Sequence, residues 1–325
     1  MPRFRTILLA VLGVLIVGGL ATWVIFDTDM RAARAALAGR SEIANTAMGA
    51  IEYADVGTGT PVLTIHGAGG GFDQGLDNAA AMLGPGFRLI APSRFGYLRT
   101  AVPGDASPAA QADAHLALLD TLGIDKVVAF GVSAGTRSAL ELALRNPERV
   151  AALILVVPAT YYPDMVKLET QRAADFPVML WLVNNGADFA WWALERLAPD
   201  TLIRFVGVPP EVVHAASAAD QAAVLQVVRS IEPLSERFAG INIDSQPDLA
   251  PRPLETLAVP TLLITARDDL FNTHPSAEYA ASRIPGAKLV VFDRGGHLLV
   301  GHGEEVHGII GDFLAGLNLG AAGSP

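Results

Sequence analysis

The chain has 325 residues, 51% hydrophobic and 17% charged, with 23 Lys+Arg against 33 Asp+Glu and a net charge of −10. An acidic, apolar chain of this kind is neither a disordered segment nor a nucleic-acid binder, which would carry a basic face. The absence of Cys removes disulfides, thiolate metal sites and a Cys nucleophile, and the length admits either two domains or one large α/β core with an insertion.

The mean hydropathy of +0.38 is high, and part of it is concentrated at the N-terminus. Residues 6–26 run for 21 positions without a formal charge, preceded by Arg3 and Arg5 and closed by Asp27 and Asp29. At about 1.5 Å per residue such a helix reaches across the roughly 30 Å hydrocarbon core of a bilayer. The leading Arg residues favour an N-in orientation, and Trp23 lies where interfacial aromatics gather. Residues 1–40 are therefore expected to form a membrane anchor, spanning about 6–26, followed by a helical, solvated stalk in RAARAALAGR. The folded part, residues 41–325, is expected outside the cytoplasm, on the periplasmic or extracellular side. A signal peptide cleaved after Ala21 and a buried core helix compete with this reading. The apolar run, however, continues past that cleavage point through Trp23, Val24, Ile25 and Phe26. Without residues 1–26 the remainder holds 21 basic and 33 acidic residues, a net charge of −12.

Beyond the anchor no repeat is apparent, and strand signals alternate with helical ones. Two runs, 42–46 and 50–56, parted by Met48-Gly49, suggest an antiparallel hairpin at a sheet edge. Residues 62–65 follow Pro61 as a buried strand and end in a glycine-rich turn; residues 87–91 form a second strand. Helical periodicity over 108–122 leads to a strand at 126–130, a helix over 134–145 stopped by Asn146-Pro147, and a strand at 152–157. Roughly 100 helical residues then intervene, about 159–257, before strands return at 261–265 and 288–292 and a last helix runs over about 304–314. This alternation predicts a mostly parallel sheet with helices on both faces and a helical insertion between two strands. The aromatics Tyr161, Tyr162, Phe176, Trp181, Phe189, Trp191 and Trp192 in the insertion are expected mostly to pack between helices rather than to line a pocket.

Chemistry gathers where strands end. Gly131-Val132-Ser133-Ala134-Gly135 is a G-x-S-x-G between a strand and a helix, the context in which a strained turn exposes a serine at the positive end of a helix dipole. His66-Gly67-Ala68-Gly69-Gly70-Gly71 follows an earlier strand, and a peptide N–H near Ala68 or Gly69 could face a developing oxyanion together with the N–H of Ala134. The loop lacks the Gly-Lys-Ser/Thr ending of a phosphate-binding loop. A serine needs a base, and the base a carboxylate. Asp268 and Asp269 follow one strand and His297 follows the last, both at the carboxyl edge where open parallel sheets carry their sites. Of the other histidines, His66 reads as a turn-stabilising hydrogen-bonder, His302 as entering the last helix, and His115, His214 and His307 as surface residues. His297, His302 and His307 are spaced by five, which separates them around a helix and speaks against a metal site.

HGAGGG, GVSAG, ARDD and GGHLLVGH, in that order, resemble the α/β-hydrolase superfamily over about residues 42–315. The resemblance implies an eight-stranded α/β fold with a helical cap inserted after the sixth strand. By motif position it implies Ser133 as nucleophile, Asp269 as acid with Asp268 the runner-up, and His297 as base. Two positions depart from the family pattern. Ser93-Arg94-Phe95-Gly96-Tyr97 replaces an Asp-led D-x-x-G-x-G turn, and Thr273 stands where a Pro often follows the acid. The expectation is a cofactor-independent, metal-free serine hydrolase acting on an ester or related acyl bond of a small, apolar substrate, with Ala68 and Ala134 supplying the oxyanion amides. A C–C bond hydrolase, lactonase or perhydrolase with the same triad is the alternative, and a non-catalytic ligand-binding relative is the alternative of another class.

Overall fold

The computed structural model describes residues 2–165 and 177–320, and the chain divides into two units, residues 1–38 and 39–325. The first is a single helix, α1 (Pro2–Leu37). Its most apolar 18-residue window has a mean hydropathy of 2.5 and none of it is buried, so by length and composition it suffices to cross a membrane. The hydroxyls of Thr22 and Thr28 donate to the carbonyls of Gly18 and Val24 at 2.9 and 2.8 Å, which satisfies both without water.

The second unit is built on one eight-stranded sheet of order β1-β2-β4-β3-β5-β6-β7-β8. In chain order the strands are β1 (Glu42–Thr46), β2 (Gly49–Gly57), β3 (Thr60–Ile65), β4 (Phe87–Pro92), β5 (Val127–Val132), β6 (Val150–Val156), β7 (Thr261–Ala266) and β8 (Lys288–Phe292). β1 and β2 form the antiparallel hairpin at one edge, and β3 to β8 pair in parallel. The central strands are apolar at almost every position because both faces are covered, and their side chains alternate strictly. Leu63, Ala129, Leu153 and Leu155 pack with Leu118, Leu140 and Leu142 on one face. Val62, Phe130, Ile154 and Val156 pack with Val306, Ile310 and Leu314 on the other. The first face is covered by α3 (Pro108–Thr121) and α4 (Gly135–Arg145), the second by α2 (Phe72–Met82) and the C-terminal helix. Ser107 caps α3 by accepting from the amide of Ala110, and Pro108 stands at its first turn, where a missing N–H is harmless.

Between β6 and β7 lies the helical insertion: α5 (Pro177–Asn184), α6 (Asp188–Leu197), α7 (Pro199–Phe205), α8 (Pro210–Ala215), α9 (Ala218–Ser230) and α10 (Phe238–Asp244). It has a core of its own, in which Trp191, Leu202, Val228, Ile231 and Leu234 meet Tyr97. The Trp191 indole donates to the carbonyl of Val228 at 3.2 Å. Tyr162, Trp191 and Trp192 are buried, as packing requires. Trp181 and Phe189 are not: they are 63% and 46% exposed, a correction to the packing expectation for these two. Phe189 lies instead flat on Trp192, 5.6 Å between ring centres, at the surface end of α6. Phe176, and residues 166–176 of the insertion generally, lie outside the described residues. After β7 come α11 (His274–Arg283) and, after β8, α12 (Gly303–Gly316).

Candidate active site

The turn from β5 into α4 is held under strain. Ser133 has φ = 52°, a left-handed conformation that costs an L-residue about 1–2 kcal/mol. Its neighbours over-determine that geometry. The Ser133 N–H donates to Val156 at 2.9 Å, and its carbonyl accepts from the amides of Thr136 and Ala159 at 3.0 and 3.4 Å. Gly135 is required here, because a Cβ would collide with the carbonyl oxygens of Ile65 and His66. The serine is thereby lifted off the sheet, with its hydroxyl clear of the strand that precedes it.

Ser133 Oγ lies 2.8 Å from His297 Nε2, and His297 Nδ1 lies 2.8 Å from Asp269 Oδ2. An ionised Asp269 requires the proton on Nδ1, which leaves Nε2 as acceptor for the serine hydroxyl. The Asp269 side chain is fully shielded from solvent. Its Oδ1 accepts from the amide of Phe271 at 2.7 Å, and Oδ2 accepts also from the Thr273 hydroxyl. The Phe271 ring meets the His297 imidazole edge-on at 4.5 Å. Asp268 reaches neither His297 nor Ser133. It accepts from the amides of Gly295 and Gly296 at 3.2 and 2.7 Å, and so braces the turn that carries the histidine. The insertion also takes part, since the carbonyl of Gly207, between α7 and α8, accepts from the amides of Leu270 and His297 at 3.0 and 3.1 Å.

The glycine-rich loop after β3 faces the same turn. The amide of Gly69 donates to the Tyr97 hydroxyl at 3.3 Å, whereas among the described residues the amides of Ala68 and Ala134 have no protein acceptor. Of the amides of Ala68 and Gly69, only that of Ala68 is thus without a protein acceptor. His66 is buried beneath the loop. Its Nε2 accepts from the amide of Arg94 at 2.9 Å, so the proton sits on Nδ1 and is donated to the carbonyl of Gly67 at 2.7 Å. Burial, reinforced by the neighbouring Arg94 charge, holds its pKa well below the usual histidine range, which keeps the ring neutral.

Arg237, at the entry to α10, is fully buried and paired with Asp73 at 2.8 Å, and it also donates to the carbonyl of Gly70 at 2.6 Å. Arg237, Gly207 and Asp244 come from the insertion and carried no motif. Thr273 was visible only as a departure from the family pattern. The expectation that His115 is a surface residue is corrected: it is 1% exposed and hydrogen-bonded to Ser138 at 3.1 Å between α3 and α4. His214 and His307 are exposed, while His302 precedes α12 and stacks on Phe292 at 4.0 Å. Among the described residues no three His, Asp or Glu side chains gather to hold a metal. A cavity of about 340 Å³ lies behind the serine turn, lined by Arg94, Ala134, Arg137, Ser138 and Asp244 among others. It is bordered by neither Ser133 nor His297, so it is not where a scissile bond would sit.

Residues 60–303 match the family described as the alpha/beta hydrolase fold. A 2-hydroxymuconate semialdehyde hydrolase from Pseudomonas putida is 30% identical over 273 residues, covering 80% of this chain and 89% of that protein. Among solved structures, a thermophilic esterase from Thermogutta terrifontis superposes with a TM-score of 0.59 at 24% identity, over 86% of this chain and 99% of its own. A carboxylesterase from Bacillus subtilis does so with a TM-score of 0.61 at 21% identity, over 91% and 99%. At these identities the two structures bear on the fold alone.

Proposed function

The chain belongs to the α/β-hydrolase family and is a hydrolase; within that family we propose that it works as a serine hydrolase cleaving an ester or related acyl bond. The observation that carries this reading is the unbroken series of contacts from Ser133 through His297 to Asp269, each 2.8 Å long, ending in a serine of left-handed backbone. As the Ser133 oxygen attacks the carbonyl carbon, its proton passes to His297 Nε2, and Asp269 stabilises the imidazolium that results. The carbonyl oxygen becomes an oxyanion and takes hydrogen bonds from the amides of Ala68 and Ala134, the latter at the N-terminus of α4. Collapse of the tetrahedral adduct expels the alcohol, which takes the proton back from His297. Water, activated by the same histidine, then releases the acid and restores Ser133.

A C–C bond hydrolase reading is favoured by the Pseudomonas putida relative, named for a semialdehyde substrate. The same serine, base and amides would serve it. The exposed apolar α1 supports a membrane-anchored enzyme with its catalytic unit outside the cytoplasm, and an apolar acyl substrate fits such a location. Labelling with a fluorophosphonate, followed by turnover of esters of graded chain length, lactones and vinylogous 1,5-diketones, tests the proposal. Ester turnover with labelling lost in Ser133→Ala is the expected result. Labelling that survives Ser133→Ala would overturn the nucleophile, and turnover confined to the diketones would select the C–C reading.

A further inference from the structure

Resting on the reading of Ser133 and Ala68 above, we propose that Arg94, gripped by Asp244 of the helical insertion, is a positioning residue that aims and polarises the Gly67–Ala68 peptide as an oxyanion donor. The argument starts from covalent geometry. The carbonyl of Gly67 and the N–H of Ala68 belong to one planar trans peptide, so they point in opposite directions, and whatever fixes the first fixes the second. Three donors converge on the Gly67 oxygen: His66 Nδ1 at 2.7 Å, Arg94 Nη2 at 3.1 Å and the amide of Gly70 at 3.4 Å. Arg94 also donates from Nε to the carbonyl of His66 at 2.9 Å, so one rigid fork spans two successive peptides of the loop. The loop adjoins the nucleophile, since a Cβ built on Gly67 would lie 3.1 Å from the Cβ of Ser133.

The charge of the fork adds to its geometry. A hydrogen bond from a guanidinium to a carbonyl increases the dipole of that peptide and makes its N–H a stronger donor, more so where water is excluded. Bulk solvent is largely held off here, for the side chains of Arg94 and Asp244 are only 7% and 5% exposed. Asp244 accepts from Arg94 Nη1 at 2.8 Å and Nη2 at 2.5 Å, which fixes the plane of the guanidinium. The same carboxylate accepts from the Tyr97 hydroxyl, which in turn accepts from the amide of Gly69. One carboxylate at the end of α10 thus orders both the peptide that would donate to the oxyanion and the peptide after it. This gives a role to Ser93-Arg94-Phe95-Gly96-Tyr97, the segment whose departure from the family pattern the sequence left without one.

The full-length protein in detergent micelles provides the test, with Arg94→Lys and Asp244→Asn compared with the parent. Two readouts need no knowledge of the natural substrate: inactivation by a fluorophosphonate, split into its maximal rate and half-saturating concentration, and inhibition by butylboronic acid, whose adduct occupies the oxyanion position. In the covalent step Ser133 Oγ bonds to phosphorus, fluoride leaves, and the serine proton passes to His297. Arg94→Lys is expected to slow the maximal rate about 10- to 100-fold, less than the roughly 10²–10³ lost when a donor is deleted outright. The half-saturating concentration should stay within about twofold, and boronate affinity should fall in step with the rate. Asp244→Asn keeps a polar partner for Arg94 and should show the same signature at about 5-fold; it decides the matter if Arg94→Lys does not fold. A folded variant with an unchanged maximal rate and boronate affinity overturns the proposal, as does a loss confined to the half-saturating concentration. Failure of the parent protein to label at Ser133 would instead overturn the underlying reading.

Discussion

Asp268 and Asp269 are adjacent in the chain, yet their carboxylates hold different parts of one unit: Asp269 takes the imidazole of His297, and Asp268 takes the amides of Gly295 and Gly296 immediately before it. Their substitutions should therefore separate. Asp269→Asn presents the wrong group to Nδ1 and is expected to lower kcat by about 10³–10⁴ with little change in fold. Asp268→Asn leaves the relay intact but weakens two charge-assisted bonds, and should lower stability by about 1–3 kcal/mol with kcat reduced by about tenfold or less. Urea unfolding and ester turnover, measured on both variants, check this; equal losses of kcat would mean that the acid has been assigned to the wrong carboxylate.

The strained backbone of Ser133 makes a second prediction that involves stability alone. Ser133→Ala and Ser133→Gly should both abolish turnover, but only glycine adopts φ = 52° without cost. Relief of about 1–2 kcal/mol, less the greater chain entropy of unfolded glycine, leaves Ser133→Gly more stable than Ser133→Ala by about 0.5 kcal/mol. Chemical denaturation of the two inactive variants measures the difference directly. If the alanine variant proves the more stable, the turn is not strained in solution.

Local patterns carried most of the sheet and the serine turn, and tertiary contacts carried the rest. Seven-residue apolar stretches such as β6 announce a doubly buried strand, and G-x-S-x-G announces its own turn. By contrast no local pattern predicts α2 and α11. The α2 sequence FDQGLDNAAAM continues out of a glycine-rich loop with an interior Gly75, and α11, HPSAEYAASR, is short and small-residue rich, so neither presents a clear apolar stripe. From sequence His115 reads as a surface residue because its neighbours are alanines, whereas those alanines, Ala112 and Ala114, are themselves fully buried. At the site, Ser133, Asp269 and His297 are legible because each lies within a few residues of the carboxyl end of a strand. Arg237, Asp244 and Gly207 are not, since they act through partners more than 60 residues distant, which no local period encodes.

The Thr273 hydroxyl shares an acceptor oxygen with the histidine, Asp269 Oδ2, in a fully shielded position. Thr273→Val keeps the shape and removes that donor. A buried carboxylate deprived of one hydrogen bond is expected to cost about 1.5–3 kcal/mol of stability, and a less firmly held Asp269 should lower kcat by about 5- to 20-fold. Thr273→Ser, which retains the hydroxyl, should restore most of both. Parallel urea titrations and initial rates test it, and a valine variant matching the parent in both would remove Thr273 from the site.

Acid sensitivity should trace in part to His115. Burial, with a smaller contribution from the Arg94 charge, pushes its pKa down to about 3 from an ordinary value near 6.5. The folded state therefore binds the proton less readily than the unfolded chain, so the stability that neutral His115 contributes is complete above pH 6.5 and is lost as pH falls toward 3. Across that window the loss approaches about 1.4 kcal/mol per pH unit from this group alone. His115→Gln can still hydrogen-bond to Ser138 and does not titrate, so its unfolding free energy should fall less steeply between pH 6 and 4 than that of the parent. Equal slopes would show that other groups, the buried His66 among them, carry the whole effect.

The proposed membrane attachment rests on α1, whose most apolar 18-residue window is uncovered. Exposing so many apolar side chains to water is strongly unfavourable, at about 25 cal/mol per Å², whereas a bilayer accepts them at no such cost. The full-length chain is expected to sediment with membranes, to resist alkaline carbonate and to be released by detergent. A chain lacking residues 1–38 should remain in the supernatant with kcat within about twofold of the parent on p-nitrophenyl butyrate. With Arg3 and Arg5 preceding the span, alkaline phosphatase fused to the C-terminus should be active, since positive flanks stay in the cytoplasm. Recovery of the intact chain in the soluble fraction would sink the anchor, and an N-terminus beginning near residue 22 in the mature protein would replace it with a cleaved signal.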